Sequence, residues 1–397
     1  MKFSVLLPTK NRLDLLQYAI TSVVRQDYDD WEIIVSDNCS EQDVAGYVRS
    51  LSDPRIKYYK TTAAIPVTDN WNAALEKSAG DYVIMLGDDD CLMPGYFQTA
   101  LRLISEYESP DCIYTKAFQY AYPGVIPGFP DGFLQLSYAS FFRGEKPFWL
   151  PQKIAQEQAR ASMDFRMTFN FNMQHSMISR KLIHSLASYG HFFQSPYPDY
   201  YASNVIFLKA PRILIYPIPI VTIGISPKSF GFYYFNDQED SGTAFLKNIP
   251  DAEVASRIKN VILPGSNMNT SSLLAMETIK RNFGDELDLQ VSYRRYRYWQ
   301  LFQTYEKRAM FLAYQKGPVV SLLHVWNKMH FEEKIFFMIL EMLKRRPLAY
   351  LRTDVVSWFA IKLNPGSKHP EPDLKTKAVT YKNILDVFNN TNSENIK

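Results

Sequence analysis

Cysteine, long apolar runs and net charge are all scarce in this sequence. Its three cysteines, Cys39, Cys91 and Cys112, form no C-x-x-C pair among the 397 residues. This scarcity argues against a disulfide framework or a zinc site and favours a reducing cytosol. No stretch reaches the length of a membrane-spanning helix, so any membrane contact would be peripheral. A net charge of +3 is too small to indicate a nucleic-acid partner.

A secretion signal is also missing from the N-terminus. The apolar run after Met1 is very short, and Pro8 interrupts it. Together with the cysteine usage, this predicts a cytoplasmic protein that could contact the inner face of the membrane.

The chain is long enough for two domains, and its hydrophobic content of 46% allows a large core. Residues 1–235 alternate β-prone segments with helical patterns, whereas residues 236–397 show mostly helical patterns. The first part therefore predicts an α/β domain, with a mostly parallel sheet flanked by helices. The second part predicts a helical C-terminal extension.

Polar clusters follow three of the predicted strands. Thr9 to Arg12 follow the first strand, Asp37 and Asn38 the second, and Asp88 to Asp90 a later one. Ligands of parallel sheets bind beyond the carboxyl ends of the strands, so these clusters predict one shared site.

The run Gly87-Asp88-Asp89-Asp90 comes directly after the β-prone segment that ends at Leu86. Three adjacent carboxylates repel each other, and a divalent cation would offset that repulsion. Mg²⁺ and Mn²⁺ are typically held by one or two carboxylates plus substrate phosphates. Taken alone, the run fits a metal site and a solvated acidic turn equally well.

Three longer stretches resemble family 2 glycosyltransferases of the GT-A fold. They are S-V-L-L-P-T-K-N-R from Ser4, I-I-V-S-D-N from Ile33, and N-W-N-A-A-L-E-K-S-A-G-D-Y-V-I-M-L-G-D-D-D-C-L-M-P from Asn70. Each piece is modestly specific, and the ordered set is highly specific. The resemblance extends to about Ile225. It implies transfer of a sugar from a nucleotide-diphosphate sugar, expected to be a UDP-sugar, with inversion at the anomeric carbon.

The resemblance also implies site residues. The residues expected to bind the nucleotide sugar lie in the strand-end loops and the following helix: Pro8, Thr9, Asn11, Arg12, Asp37, Asn38, Asn72, Asp88 and Asp89. Registering the acidic run on Pro94 makes Asp89 the first metal ligand and Asp90 the second, for Mn²⁺ or Mg²⁺. Gly87 then stands where the family has its first Asp. Asp37 and Asn72 also fit simpler roles, as a turn former and a helix cap.

Asp199 is the expected general base. The family has a Glu-Asp pair at the start of a helix about here, and Pro198 replaces the Glu. The alternative is that Asp199 only caps this helix. Lys228, in a polar loop, is a candidate lid over the diphosphate or an ordinary surface lysine. His175 is a candidate for contact with acceptor or phosphate, or an ordinary core or surface histidine.

The segment from Tyr293 to Phe302 interleaves aromatic residues with arginine. Such a helix suits a membrane surface, and it suits packing against the catalytic domain or a second copy equally well.

The sequence thus predicts a metal-dependent glycosyltransferase that acts on a glycan or lipid-linked glycan in surface polysaccharide assembly. The alternative is a catalytically degenerate transferase that serves as a nucleotide-binding or scaffold subunit, because Gly87 and Pro198 replace acidic residues.

Overall fold

The computed structural model of the protein describes residues 1–125, 130–229, 252–314, 322–342 and 381–390. The predicted boundary between residues 235 and 236 lies outside these ranges and stays a prediction.

Ten strands in the described residues form one sheet. They are β1 (Phe3–Thr9), β2 (Trp31–Asp37), β3 (Ile56–Lys60), β4 (Tyr82–Met85), β5 (Cys91–Leu92), β6 (Cys112–Ala121), β7 (Phe133–Leu136), β8 (Phe148–Leu150), β9 (Ser176–Ser179) and β10 (Ile213–Ile225).

The strand order along the sheet is β3-β2-β1-β4-β9-β6-β10-β5, with β7 beside β6 and β8 beside β10. β1 pairs in parallel with both β2 and β4, and β10 pairs in parallel with β6. β9 lies antiparallel between β4 and β6, so that β4 and β6 run in the same direction, and with them β1, β2, β3 and β10. The predicted α/β class with a mostly parallel sheet is therefore confirmed.

The helices of the first part flank this sheet. They are α1 (Leu13–Val24), α2 (Val44–Ser50), α3 (Val67–Glu76), α4 (Tyr96–Glu106), α5 (Gln152–Met163), α6 (Arg180–Ser185) and α7 (Pro198–Lys209). The described residues of the second part add α8 (Ala252–Ile258), α9 (Asn267–Leu287), α10 (Tyr293–Tyr314), α11 (Leu322–Lys328), α12 (Phe331–Met342) and α13 (Ile384–Asn390).

Both faces of the sheet are buried. Successive side chains of a strand point to opposite faces, so each central strand contributes to two cores. Val5 and Leu7 pack on one face with the apolar side of α1, while Leu6 packs on the other face with α3 and α7. This two-sided burial explains why the central strands are apolar throughout rather than alternating.

The strand β10 lies inside the sheet, between β6 and β5, although it contains two prolines, which are usually confined to edge strands. Its pairing with β6 shifts register on either side of Pro219. The irregularity accommodates a residue that has no backbone N–H to donate.

The aromatic and basic segment from Tyr293 belongs to the protein interior. Arg297 is buried and donates to both carboxylate oxygens of Glu333, over 2.6 and 2.8 Å. Tyr296 and Phe302 are also buried, at 0% and 1% exposure. These contacts favour the alternative in which the helix packs in the interior, whereas contact with a membrane surface stays a prediction, since Arg294 is 78% exposed.

The last described helix returns to the first part of the chain. Ile384 and Val387 of α13 pack with Leu15 and Met93. Tyr120 donates its hydroxyl to the carbonyl of Tyr381 over 2.8 Å. Some of the predicted C-terminal extension therefore completes the core of the α/β part. Among the described residues, no helix is both long and apolar enough to cross a membrane.

Gly224 in β10 provides a test of how closely the strand approaches the acidic run. A Cβ at this position would lie 1.9 Å from the carbonyl oxygen of Asp89, which is backbone and cannot rotate away. Gly224→Ala should therefore destabilise the protein by about 2 kcal/mol or more in chemical denaturation.

Gly284 in α9 is the control for Gly224. A Cβ there would lie 3.2 Å from the Lys280 side chain and 4.0 Å from the Leu289 carbonyl oxygen, an ordinary contact distance, and alanine favours helix. Gly284→Ala should leave the free energy of unfolding unchanged or raise it by up to about 1 kcal/mol. Equal effects of the two substitutions would contradict the close approach of β10.

Candidate active site

The three polar strand ends meet at one edge of the sheet, as the sequence predicts. Thr9 at the end of β1 donates its hydroxyl to the Asp88 carboxylate over 2.8 Å. The backbone N–H of Asn38, after β2, donates to the carbonyl of Thr9 over 2.9 Å. The Asn11 N–H donates to the hydroxyl of Ser40 over 2.8 Å, with Asn11 at a φ of 54°. The loops after β1, β2 and β4 thus form one continuous polar surface.

Asp90 is the buried anchor of this surface. Its carboxylate accepts from the backbone N–H of Gly87 at 2.7 Å and of Gly224 at 2.9 Å. The side-chain amide of Gln174 donates to it at 2.5 Å. Burial, followed by the charge of Asp89, raises the pKa of Asp90. These three donors fix the orientation of the Asp90 carboxylate, and its role as second metal ligand stays a prediction.

The position of the Asp90 carboxylate explains why Gly87 stands where the family has its first Asp. A Cβ on Gly87 would lie 2.5 Å from an oxygen of the Asp90 carboxylate. A side chain at position 87 would therefore push that carboxylate away from the Gly87 N–H. The departure from the family pattern has a packing reason and does not by itself indicate a degenerate site.

Asp88 forms a buried ion pair with Arg12. Arg12 Nη1 lies 2.9 Å from Asp88 Oδ1, with side-chain exposures of 9% and 4%. Arg12 also donates to the carbonyl of Lys228. A guanidinium is thus held beside the acidic run, where an anionic diphosphate would gain from its charge.

Asp89 is the carboxylate best suited to a metal ion. The described side-chain donor to Asp89 is the Ser226 hydroxyl, at 2.9 Å. The Asp88 carboxylate accepts hydrogen bonds from two side chains, and the Asp90 carboxylate accepts from three donors. Burial raises the pKa of Asp89, while the nearby Arg12 charge lowers it. No three His, Cys, Asp or Glu side chains of the described residues cluster as a ready metal site. An ion on Asp89 would therefore need donor phosphates as further ligands, as is usual for Mg²⁺.

Asp37 and Asn38 are built into their loops. Asp37 is fully buried and accepts from the Ser40 N–H at 2.9 Å and the Tyr58 hydroxyl at 2.7 Å. Burial and then the Asp37 charge raise the pKa of Tyr58. The side chain of Asn38 exchanges two hydrogen bonds with the backbone of Ile65, both at 2.8 Å. These bonds fix the loop after β2, and contact of either residue with nucleotide stays a prediction.

Asn72 joins α3 to the loop before Asp199. Its amide donates to the carbonyl of Phe193 at 2.9 Å and accepts from the Phe193 N–H at 3.2 Å. The proposed cap role is wrong, because α3 begins five residues earlier, at Val67. Asn72 instead positions the segment that leads to the predicted base.

Asp199 lies in the first turn of α7 and is partly exposed. The helix begins at Pro198 and its cap residue is Tyr197, so Asp199 is not the N-cap. A proline suits the first helical position, which accounts for Pro198 in place of the family's Glu. The described donor to the Asp199 carboxylate is the adjacent Tyr200 N–H at 3.0 Å. Burial raises its pKa to about 7, which a general base at neutral pH requires.

Lys228 and Pro8 lie at the rim of the site. The Lys228 ammonium pairs with Asp14 at 2.9 Å, and both side chains are exposed. The residues after Ser229 lie outside the described ranges, so the lid role of Lys228 stays a prediction. Pro8 is half-buried near the end of β1, before the Thr9 contact with Asp88.

His175 belongs to the core. It is fully buried, its Nδ1 lies 2.8 Å from the carbonyl of Thr115, and its ring stacks on Tyr114 at 5.2 Å. A carbonyl only accepts, so Nδ1 carries the proton. Burial lowers the pKa of His175 to about 4, and the ring is neutral. The core alternative for His175 is therefore confirmed.

Two residues that contact the acidic run were missed from the sequence. Gln174 holds Asp90, and Ser226 holds Asp89. Both adjoin residues that did attract attention, His175 and Lys228, but a lone Gln or Ser has no chemical signature in a sequence. Only the fold brings them to the end of β4.

The raised pKa of Asp199 predicts that ionisation of this carboxyl group lowers the stability of the folded protein. Its folded pKa of about 7 exceeds the ordinary 3.8, so stability is lost as the pH rises between these values. Asp199→Asn removes this penalty and should raise the melting temperature more at pH 8 than at pH 4.5. Thermal unfolding at both pH values measures the difference. The exposed Asp285→Asn is the control, and an equal gain at both pH values would contradict the raised pKa.

Comparison with known proteins agrees with this geometry. Residues 4–147 match the model of Glycosyl transferase family 2. A GalNAc(5)-diNAcBac-PP-undecaprenol beta-1,3-glucosyltransferase of Campylobacter jejuni is 40% identical over 108 residues, which are 26% of this chain and 35% of that protein. The putative colanic acid biosynthesis glycosyl transferase WcaA of Escherichia coli is 31% identical over 134 residues, covering 32% and 48%.

The chain thus spans less than half the length of these curated relatives. Among solved structures, Staphylococcus aureus TarS 1–349 in complex with UDP-GlcNAc aligns with 76% of this chain and 80% of that chain, at a TM-score of 0.43 and 17% identity. The family match begins at Ser4 and includes the Thr9, Asp37 and Asp88–Asp90 strand ends described above. The resemblance to family 2 glycosyltransferases that the sequence predicts is therefore confirmed over residues 4–147.

Proposed function

We propose that this protein transfers one sugar from a UDP-sugar to a lipid-linked glycan, with inversion and with a divalent cation, in surface polysaccharide assembly. The observation that carries the proposal is the polar sheet edge, where Arg12 forms a buried ion pair with Asp88 beside Asp89. Asp199, in the first turn of α7, adds a carboxyl group whose pKa burial raises to about 7.

The sheet edge supports binding of a nucleoside diphosphate. Arg12 supplies a fixed positive charge, and Asp89 supplies a carboxylate that is suited to a metal ion. When bound between Asp89 and the diphosphate, Mn²⁺ or Mg²⁺ would neutralise the charge of the leaving group. Asp90 holds the backbone of the acidic run in place, which fixes the position of Asp89 beside Ser226.

Asp199 supports an inverting displacement. Its carboxylate would take the proton from the acceptor hydroxyl as that oxygen bonds to the anomeric carbon. The bond from that carbon to the phosphate oxygen breaks in the same step, and the nucleoside diphosphate leaves. One base opposite one leaving group inverts the anomeric centre, and such a base contributes about 10²- to 10⁴-fold to the rate.

The donor and acceptor classes are supported by relatives. Two relatives are named as glucosyltransferases acting on undecaprenol-linked substrates, and one of the two names gives UDP-Glc as the donor. These names describe those proteins, and they make undecaprenyl-diphosphate glycans the first acceptors to assay here.

The scaffold alternative loses its main support in the structure. Gly87 is explained by the position of the Asp90 carboxylate, and Pro198 by its place at the start of α7. Neither replacement removes Asp89 or Asp199. Absence of donor turnover in the assays below would restore this alternative.

Asp199→Asn should separate catalysis from binding. We expect transfer to fall by about 10²- to 10⁴-fold, since the base is lost, while UDP affinity changes little. Native transfer should rise with pH and level off above about 7, because Asp199 must be ionised. UDP release and calorimetry with UDP measure the two effects, with Asp285→Asn as control. Equal loss of UDP binding would mark Asp199 as structural.

Metal dependence is tested separately, with Asp89→Asn. UDP release from a panel of UDP-sugars should require Mn²⁺ or Mg²⁺ and should stop with EDTA. In Asp89→Asn, UDP should bind equally with and without metal, whereas metal should tighten UDP binding to the native protein. Full activity of the native protein in EDTA would overturn the metal assignment without affecting the role of Asp199.

A further inference from the structure

A cavity of about 470 Å³ lies between α3, α9 and the loop of residues 189–196. Its volume falls within the range of roughly 300–1,000 Å³ that is usual for small-ligand sites. Thr68 and Asp69 of α3, Ser195 of the loop, and Thr278 and Arg281 of α9 contribute to its wall. The helix α9 lies far beyond residue 147, where the family match ends. The cavity therefore combines a family element with one that the family match does not include.

The loop of residues 189–196 is fixed on both sides of the cavity. On the side of α3, the Thr68 hydroxyl donates to the carbonyl of Ser195 over 2.6 Å. On the side of α9, the side-chain oxygen of Gln194 accepts from Arg281 at 3.3 Å and from Asn282 at 3.1 Å. A wall that is held in place before a ligand arrives lowers the entropic cost of binding.

The charges on the cavity wall balance each other. Asp69 supplies one negative charge and Arg281 supplies one positive charge, while His191 lies 3.8 Å from the Glu76 carboxylate. Phosphate groups are recognised by clustered cationic donors, and this wall has no excess of positive charge. The balance therefore favours an uncharged ligand over a phosphate or a nucleotide.

Polar and aromatic side chains share the same wall. Thr68, Asp69 and Gln194 provide hydroxyl, carboxylate and amide groups, and Tyr189 and Phe193 add aromatic rings. The Asp69 carboxylate is exposed, and within the described part of the chain it has no hydrogen-bond or ion-pair partner. A purely apolar ligand would leave these polar groups unpaired. A neutral sugar matches them, because its hydroxyls both donate and accept while its C–H faces pack against rings.

The cavity lies beside the predicted base and apart from the expected diphosphate site. Pro196 contributes to the wall, and Asp199 follows three residues later, at most about 11 Å along the chain. Among the described residues, neither Arg12 nor Asp89 lines the cavity, although Asn72 does. A ligand held here would therefore approach the reaction from the side of the base, as an acceptor must.

We propose that this cavity binds a neutral sugar residue of the acceptor glycan, with the Asp69 carboxylate accepting hydrogen bonds from its hydroxyls. The identification of that sugar as the acceptor rests on the proposed function, whereas the walls of the cavity do not. The helix α9 then completes the acceptor site of the α/β part.

An NMR titration without donor tests sugar binding directly. The probes are the methyl glycosides of GlcNAc and GalNAc, the sugars that appear in the names of two relatives. The native protein should bind at least one of them, and Asp69→Ala should weaken that binding about tenfold, since a charged hydrogen bond is lost. Asp285→Ala is the matched control, because Asp285 is an exposed aspartate outside the cavity wall. The control should bind as the native protein does.

Transfer assays with undecaprenyl-diphosphate glycans test the acceptor role. Asp69→Ala should raise the KM for the acceptor about tenfold, with the change in KM rather than in kcat, and should leave UDP affinity unchanged. If the native protein binds the glycosides but shows no transfer, the proposed function fails and the sugar site stands. If transfer proceeds and neither glycoside binds, only the sugar site fails.

Two further results would overturn the inference. Asp69→Ala could bind the glycosides as tightly as the Asp285→Ala control does, which would place the sugar elsewhere. Alternatively, UDP could displace the bound glycoside from the native protein and bind more weakly to Asp69→Ala, which would assign the cavity to the donor.

Discussion

The site depends on one buried carboxylate, Asp90, and on the three groups that donate to it. Gly87 follows β4, Gly224 lies in β10 and Gln174 precedes β9, so one side chain ties together three separate parts of the sheet. A buried carboxylate without these bonds would be costly, and with them it fixes the backbone around it. The other two carboxylates of the run are left to face the site.

This anchoring divides the acidic run into three different roles. Asp88 accepts from Arg12 and Thr9, Asp89 accepts from Ser226, and Asp90 accepts from Gln174 and two backbone N–H groups, while the metal roles of Asp89 and Asp90 stay predictions. The same constraint accounts for both close glycines, since a Cβ on either would collide with the run. An apparent loss of an acidic residue is thus a consequence of how the remaining ones are packed.

In the second part of the chain, a buried ion pair likewise helps to determine how two helices pack. Arg297 of α10 is buried beside Glu333 of α12, which neutralises it and accepts two hydrogen bonds, and it also donates to the carbonyls of Val261 and Lys328. The ion pair and the apolar side chains of Phe337 and Leu340 together join the inner face of α12 to α10. The opposite face of α12 carries exposed apolar side chains.

The sequence by itself determined the α/β class, the meeting of three polar strand ends and the candidate base, because periodicity and local motifs are properties of neighbouring residues. It could not find Gln174 or Ser226, the interior position of β10, or the return of α13 to the first part. Only the tertiary structure decided these, together with which face of each C-terminal helix is buried. Such features depend on contacts between residues far apart in the chain, and no local pattern encodes them.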